Sequence, residues 1–449
     1  MQNDLVLRHA APVPRYTSYP TAPHFHTGID NAAYRLWLQQ LPPRSRLSLY
    51  LHIPFCDQLC WFCGCHTKHT RRYDPVANYL VRLKAEAALL AQALPNGITI
   101  GSMHWGGGSP TILTPDDTVG LAEHLKSILP FADDAGFSVE LDPRDLDEAK
   151  LDAFAAAGMT RASIGVQDFS PEVQQAINRL QSLEVTRWTV EGLRRRGVAS
   201  INLDLVYGLP HQTQERLLAT VAQALALQPD RLAVFGYAHV PQMKKHMEMI
   251  DTAWLAGPLE RFDMARAAAG RIVEAGYTTI GFDHFAKPED TLAKARRENR
   301  LRRNFQGYTD DAADAIVGLG ASAIGSLPDG HIQNVVATAD YMRIVDAGEL
   351  PIARGIELKA DDRLRGYVIE RLTCDFAVSV DDLRSRFGAA ADPILFEFAL
   401  AAENDRDDLA TFDGTRFAVT ARGQPFVRSI AAGFDAYLAG GTARHSMAV

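Results

Sequence analysis

Residues 47–65 read LSLYLHIPFCDQLCWFCGC, an apolar, β-rich run that ends in four cysteines, Cys56, Cys60, Cys63 and Cys65, within ten residues. Downstream, similar strand-like runs recur: ITIGSMHWGGG (98–108), FSVELDP (137–143), RASIGVQDF (161–169), SINLDLVYGLP (200–210), RLAVFGYAHV (231–240) and YTTIGFDHFA (277–286). Stretches with helical spacing separate them, such as NYLVRLKAEAALLAQAL (78–94) and LLATVAQALAL (217–227). This alternation predicts an α/β fold, a parallel sheet covered by helices. Seven runs favour a partial or complete (β/α) barrel over a short open sheet. In such folds function gathers at the C-terminal ends of the strands. The unusual residues fall there repeatedly. The cysteines follow the first run, Gly106-Gly107-Gly108-Ser109 the second, Asp142-Pro143-Arg144 the third, Gln167-Asp168 the fourth and Gly208-Leu209-Pro210 the fifth.

After about residue 340 the strand signal fades. Segments 361–376 and 381–404 read as helices, and 410–427 as a small β-wing turning at Asp413-Gly414. The chain is therefore expected to divide into an extended, Pro- and aromatic-rich arm over the active site (1–40), a barrel domain (41–340) and a smaller, mainly helical C-terminal domain (341–449). A chain of 449 residues has room for this. With 47% hydrophobic and 22% charged residues and a mean hydropathy of -0.11, the composition is that of a globular protein and excludes a disordered or fibrous one. A net charge of -8 argues against nucleic acid as a partner, and Arg194-Arg195-Arg196 reads as a solvated helix end. No apolar stretch reaches the roughly 18 residues of a membrane span. The N-terminal MQNDLVLRHAAPVPRY has no apolar core of a signal peptide. A cytoplasmic location is expected.

The cysteines are too tightly grouped for a disulfide framework. A structural zinc site needs four ligands, usually in two separated pairs, and no second pair is present at finger spacing. A redox dithiol at Cys60-x-x-Cys63 leaves the outer cysteines unexplained. An iron–sulfur cluster needs several thiolates converging from a loop, and three of them leave one iron open to a small molecule. Cys65 is then a spectator, and Cys374, alone in a helical segment, an inert buried thiol. The spacing C-x3-C-x2-C after a first barrel strand, with the aromatic Phe62 just before the third cysteine, resembles the radical S-adenosylmethionine superfamily. That resemblance implies a [4Fe–4S] cluster on Cys56, Cys60 and Cys63, whose open iron holds S-adenosylmethionine.

Gly106-Gly107-Gly108-Ser109-Pro110 is too short for a dinucleotide fingerprint. The resemblance places it against the methionine part of the cofactor, where glycine lets backbone approach closely. Glu140, Gln167, Arg179 and Asp204 stand at or just beyond strand ends. A carboxylate there can accept ribose hydroxyls, and a guanidinium can grip a carboxylate. Of the strand histidines His52, His104, His239 and His284, only His52, four residues before Cys56, is close enough to the cluster to single out.

A longer resemblance runs nearly end to end. PRYTSYPTA (14–22), LYLHIPFCDQLCWFCGC (49–65), HWGGGSPT (104–111), VELDPR (139–144), GVQDF (165–169), NRLQ (178–181), NLDLVYGLP (202–210), YAHVP (237–241), DHFA (283–286), NFQGYT (304–309) and GLGASAIG (318–325) resemble the oxygen-independent coproporphyrinogen III oxidase family. This implies a barrel of the radical SAM type and oxidative decarboxylation of two propionates of coproporphyrinogen III to vinyl groups, giving protoporphyrinogen IX. It also implies two S-adenosylmethionine molecules side by side. The matching cofactor positions are Tyr50, Phe62, Gly107, Gly108, Ser109, Glu140, Gln167, Arg179, Asp204, Ala238 and Ile324. Tyr50 and His52 are the candidate catalytic residues, and Arg15 in the arm is placed to meet a substrate propionate. The implied partners are the substrate and a low-potential electron donor such as a flavodoxin or ferredoxin, with the enzyme a monomer. Ser109 replaces an expected threonine and keeps the hydroxyl. Gly236 and Gln242 depart from the family pattern at a substrate wall. A related haem-binding chaperone is the rival reading, but it generally lacks the PRYTSYPTA arm and carries phenylalanine at the position of Cys65. A radical methyltransferase is a more distant one.

Overall fold

Along Arg46–Ile53 (β1), Leu47, Leu49, Leu51 and Ile53 are fully buried on one face, while Ser48, Tyr50 and His52 share the other. The structure, a computed structural model, describes residues 2–438. The strands that follow in its main sheet are Thr99–Gly107 (β2), Phe131–Leu141 (β3), Arg161–Gln167 (β4), Ser200–Tyr207 (β5), Arg231–Gly236 (β6), Thr278–Ile280 (β7), His284–Ala286 (β8), Ala315–Leu319 (β9), Ile324–Leu327 (β10), Gly330–Asn334 (β11) and Ile352–Glu357 (β12). Their spatial order is β12-β11-β10-β9-β1-β2-β3-β4-β5-β6-β8-β7. β9 and β1 to β6 are mutually parallel. Antiparallel strands extend the sheet at both ends. The end strands do not pair with each other, so the barrel is incomplete. Helices such as Asp74–Ala93, Pro115–Ile128 and Gln214–Ala226 link the parallel strands, and their apolar faces join the sheet in the largest core cluster.

Three expectations change. The run 277–286 is a hairpin, because Gly281 turns the chain at φ 55° and splits it into antiparallel β7 and β8. The seventh parallel strand is instead β9, which holds Tyr50 opposite Gly318. Strands also persist beyond residue 340, since β12 pairs with β11 as far as Glu357. The segment 381–404 forms two helices, Val380–Phe387 and Asp392–Glu403, parted by Gly388 at positive φ and by Pro393 in the first turn of the second. The β-wing is present as Ala410–Phe412 and Arg416–Val419 around Asp413-Gly414.

The arm is only partly extended. Gln2–His9 and Asn31–Gln39 are helices, the second capped by Asp30, which accepts from the Ala33 N–H at 3.0 Å. Between them Tyr16 and Tyr19 are buried with Leu364, Val368, Phe398 and Phe417 in a second core cluster. Arg428 donates to the Val13 carbonyl at 2.5 Å and the Pro14 carbonyl at 3.2 Å, and the Tyr16 hydroxyl donates to Asp435 at 3.0 Å. The arm is thereby fastened to the C-terminal region.

Candidate active site

The cysteine loop leaves β1 and is tied down at several points. The Trp61 N–H donates to the Ile177 carbonyl at 3.0 Å, and Asn178 to the Leu59 carbonyl at 2.9 Å. The segment after β6 closes over it. Lys244 Nζ donates to the Cys65 carbonyl at 2.7 Å, and His246 Nε2 lies 2.7 Å from the Cys63 carbonyl. Cys56, Cys60 and Cys63 face one cavity of about 440 Å³ together with Glu140, Gln167, Arg179 and Asp204. Phe62, Gly107, Gly108, Ser109 and Ala238 also stand on its wall, as do Arg15 and the fourth cysteine, Cys65. Tyr50, His52 and Ile324 are not among its lining residues. Ile324 opens β10, opposite Gln333.

Tyr50 and His52 stand one layer behind. The Tyr50 hydroxyl lies 3.1 Å from His52 Nδ1, and His52 Nε2 is 2.9 Å from the His66 carbonyl. Burial lowers the His52 pKa. The Tyr50 ring stacks on His104, whose Nε2 is 3.2 Å from Glu140; the other Glu140 oxygen accepts from the Gly107 N–H at 3.1 Å. These bonds aim Glu140. Burial would raise its pKa, but His104 and Gly107 hold it below the usual range. Asp204 receives Ser163 at 2.9 Å and Asn202 at 2.7 Å, and burial raises its pKa. Gln167 ends β4 at φ 71°, beside a register shift at Gly165/Gln167.

The glycine-rich strand end also has a cause in the protein's own packing. A Cβ at Gly106 would lie 2.7 Å from the Glu140 carboxyl, one at Gly107 2.6 Å from the His52 ring, and one at Gly108 2.6 Å from the Phe55 carbonyl. Glycine is needed there by the protein's own packing, before any ligand is considered.

Sequence reasoning quoted Asp142-Pro143-Arg144 as a strand end but not as part of the site. Asp142 binds Arg144 at 2.6 Å and Arg179 at 3.0 Å, and both guanidiniums approach Cys60 Sγ, at 3.4 and 3.5 Å. Burial pushes the Asp142 carboxyl up, but Arg179 and Arg144 outweigh it and hold it at about 2. Lys244 and His246 were also missed. Their segment carries no spacing signal, and only its path over the cysteines reveals them.

The donor set fits an iron–sulfur cluster better than a single ion. Among the described residues, no three His, Cys, Asp or Glu side chains gather about one point fit for one metal ion. A cube is larger, and it takes thiolates distributed around it. Cys65 is exposed, and its N–H donates to Cys63 Sγ at 3.4 Å. Arg179 Nε is buried in the wall without a hydrogen-bond partner, an unused donor where an anionic ligand group would satisfy it.

A parallel-strand sheet with three loop thiols over one cavity defines a class, and the Radical SAM superfamily matches residues 50–224. Full-length comparisons narrow it. An oxygen-independent coproporphyrinogen III oxidase of Bradyrhizobium diazoefficiens is 46% identical over 450 residues, spanning 100% of both chains. One of Pseudomonas aeruginosa is 40% identical, covering 97% of this chain and 95% of its own. The solved structure of coproporphyrinogen III oxidase from Escherichia coli, described as a radical SAM enzyme, superposes with a TM-score of 0.90 at 38% identity, over 94% of this chain and 98% of that one. The chain belongs to the oxygen-independent coproporphyrinogen III oxidase family.

Proposed function

We propose that this protein converts two propionate side chains of coproporphyrinogen III to vinyl groups without oxygen, giving protoporphyrinogen IX. The observation that carries the reading is the single cavity onto which Cys56, Cys60 and Cys63 open together with Glu140, Gln167, Arg179 and Asp204. A [4Fe–4S] cluster, when bound, supplies the electron that splits S-adenosylmethionine and so the 5′-deoxyadenosyl radical needed to take an unactivated hydrogen. The chain's residues do the rest. The three cysteines hold the cluster, and Cys65 stays out of the ligand set. Glu140 and Asp204 accept from cofactor hydroxyl or amino groups, and Arg179 faces a carboxylate. Phe62, Gly107, Gly108, Ser109, Gln167 and Ala238 shape the wall of a chamber taking two S-adenosylmethionine molecules and exclude water. Tyr50 and His52 are positioning residues, acting through His104, Glu140 and Gly107. Ile324, which opens β10 outside this cavity's lining, is the remaining cofactor position that the family resemblance implies.

In this reading residues 41–340 carry the chemistry, while the arm (1–40) and the C-terminal region (341–449) enclose the substrate. The electron comes from a low-potential carrier such as a flavodoxin or ferredoxin. The protein works as a monomer in the cytoplasm; no described helix is long and apolar enough to cross a membrane. Reconstituted protein, assayed anaerobically with coproporphyrinogen III, S-adenosylmethionine and a competent reductant, should yield 5′-deoxyadenosine, CO2 and protoporphyrinogen IX. Absence of 5′-deoxyadenosine and CO2 rejects the proposal, and stable haem binding without turnover would favour the chaperone reading.

A further inference from the structure

A second cavity, of about 270 Å³, shares Arg15, Gly236 and Tyr237 with the cysteine chamber. Its wall carries Arg15, Arg261, Arg266 and Arg428 but a single carboxylate, Asp283. That carboxylate is already engaged, 2.6 Å from His284 Nδ1 and 3.7 Å from Arg303. Arg266 is exposed and Arg428 is already engaged, so the uncompensated charge on this wall is that of Arg15 and Arg261, neither of which has a carboxylate within ion-pair distance among the described residues. Burial makes such charge costly unless an anion completes it.

Arg261 is the clearest case. Its guanidinium lies over the Tyr207 ring at 5.6 Å, and its buried Nε has no hydrogen-bond partner. No carboxylate or carbonyl among the described residues accepts from it. The sequence keeps space for this side chain. A Cβ at Gly208 would lie 2.5 Å from its Nη1, and one at Gly236 would lie 2.8 Å from the Tyr207 hydroxyl and 3.1 Å from Arg261 Nη2.

Arg15 stands at the junction of the two cavities. One of its nitrogens donates to the Gly236 carbonyl at 2.6 Å, and it has no ion pair among the described residues. Burial lowers the pKa of Arg15 and of Arg261; the Asp283 charge offsets part of this at Arg15, while Arg15 depresses Arg261 further. The remaining wall includes Val234, Phe262, Phe282 and Phe285, an apolar surface for a flat hydrophobic body.

We propose that Arg15 and Arg261 form a carboxylate-binding basin that anchors a propionate of the tetrapyrrole while another propionate lies in the cysteine chamber. This rests on the function proposed above. A guanidinium pair suits it, since each can offer two parallel N–H donors to a carboxylate.

The test is anaerobic equilibrium dialysis of coproporphyrinogen III against the unreduced, cluster-loaded protein, where no turnover occurs, together with steady-state kinetics under reductant. For Arg261→Gln we expect Kd and KM to rise at least about ten-fold, with a much smaller fall in kcat and unchanged iron content. Arg261→Lys should recover most of the binding, and Arg15→Gln should weaken it comparably. The basin is overturned by wild-type Kd and KM in both glutamine variants, or by a lysine variant that binds no better than glutamine. If Arg261→Gln loses iron, Arg261→Lys and Arg15→Gln decide by the same criteria. A wild-type protein that binds coproporphyrinogen III but releases no CO2 refutes the proposed reaction and leaves the basin standing. Turnover with arginine-independent KM does the reverse.

Discussion

Glu86, on the helix Asp74–Ala93, is 1% exposed and fastens β9 and β11 to the barrel wall. It accepts from the Gly320 N–H and Asn334, each at 2.7 Å, and from the Tyr341 hydroxyl at 2.6 Å. Burial raises its pKa to about 7 despite these three bonds. The folded value lies above the unfolded one of about 4.3, so the native state keeps a proton that the unfolded chain releases. Stability from this group is complete below the unfolded pKa and is lost as pH rises through about 7. Glu86→Gln should flatten this dependence. The difference in unfolding free energy between pH 5 and pH 8 is expected to shrink by about 2–3 kcal/mol, read by chemical denaturation. Asp142 behaves oppositely. Its carboxyl is held at about 2 by Arg179 and Arg144, so its contribution is present above the unfolded pKa and fades only as pH falls toward 2. Asp142→Ala leaves two buried guanidiniums facing each other beside Cys60. A loss of about 3 kcal/mol is expected in the same assay at neutral pH.

At the scale of elements, the end of β2 is the most constrained segment near the site. Gly107 sits at φ 112° with the His52 ring where a Cβ would go. Gly107→Ala should cost about 1–3 kcal/mol through backbone strain and contact. It should also weaken S-adenosylmethionine binding at least about ten-fold, measured by anaerobic equilibrium dialysis, because moving this strand end displaces the N–H that aims Glu140. Here the sequence was legible in part. The glycines could be placed at a strand end beside the cysteines, but the packing that also requires them, against His52, Phe55 and Glu140, exists only in the folded sheet. The hairpin at 277–286 was hidden for a related reason. An apolar run does not show that its middle glycine turns back until a neighbouring strand is there to pair with each half.

At the scale of the whole molecule, the arm joins the barrel to the C-terminal region. Tyr16 and Tyr19 belong to the C-terminal core cluster, while Arg15 reaches the end of β6. Tyr16→Ala removes a buried ring and the hydrogen bond to Asp435. A docking loss of about 3 kcal/mol is expected, seen as faster proteolytic cleavage within residues 10–22 while iron content is retained.

The sequence by itself determined the local chemistry: three thiols at a spacing that serves a cluster, polar groups at successive strand ends, and the alternation that builds a parallel sheet. These are short-range properties, carried by spacing and period. Only the tertiary structure decided that the barrel stays open, that Tyr50 and His52 stand behind the cavity wall, and that Arg15, Arg261 and Arg428 meet around one cavity. Those residues come from the arm, a barrel helix and the C-terminal region. No spacing rule relates them, because burying the apolar faces of three distant segments in shared cores is what brings their charges together.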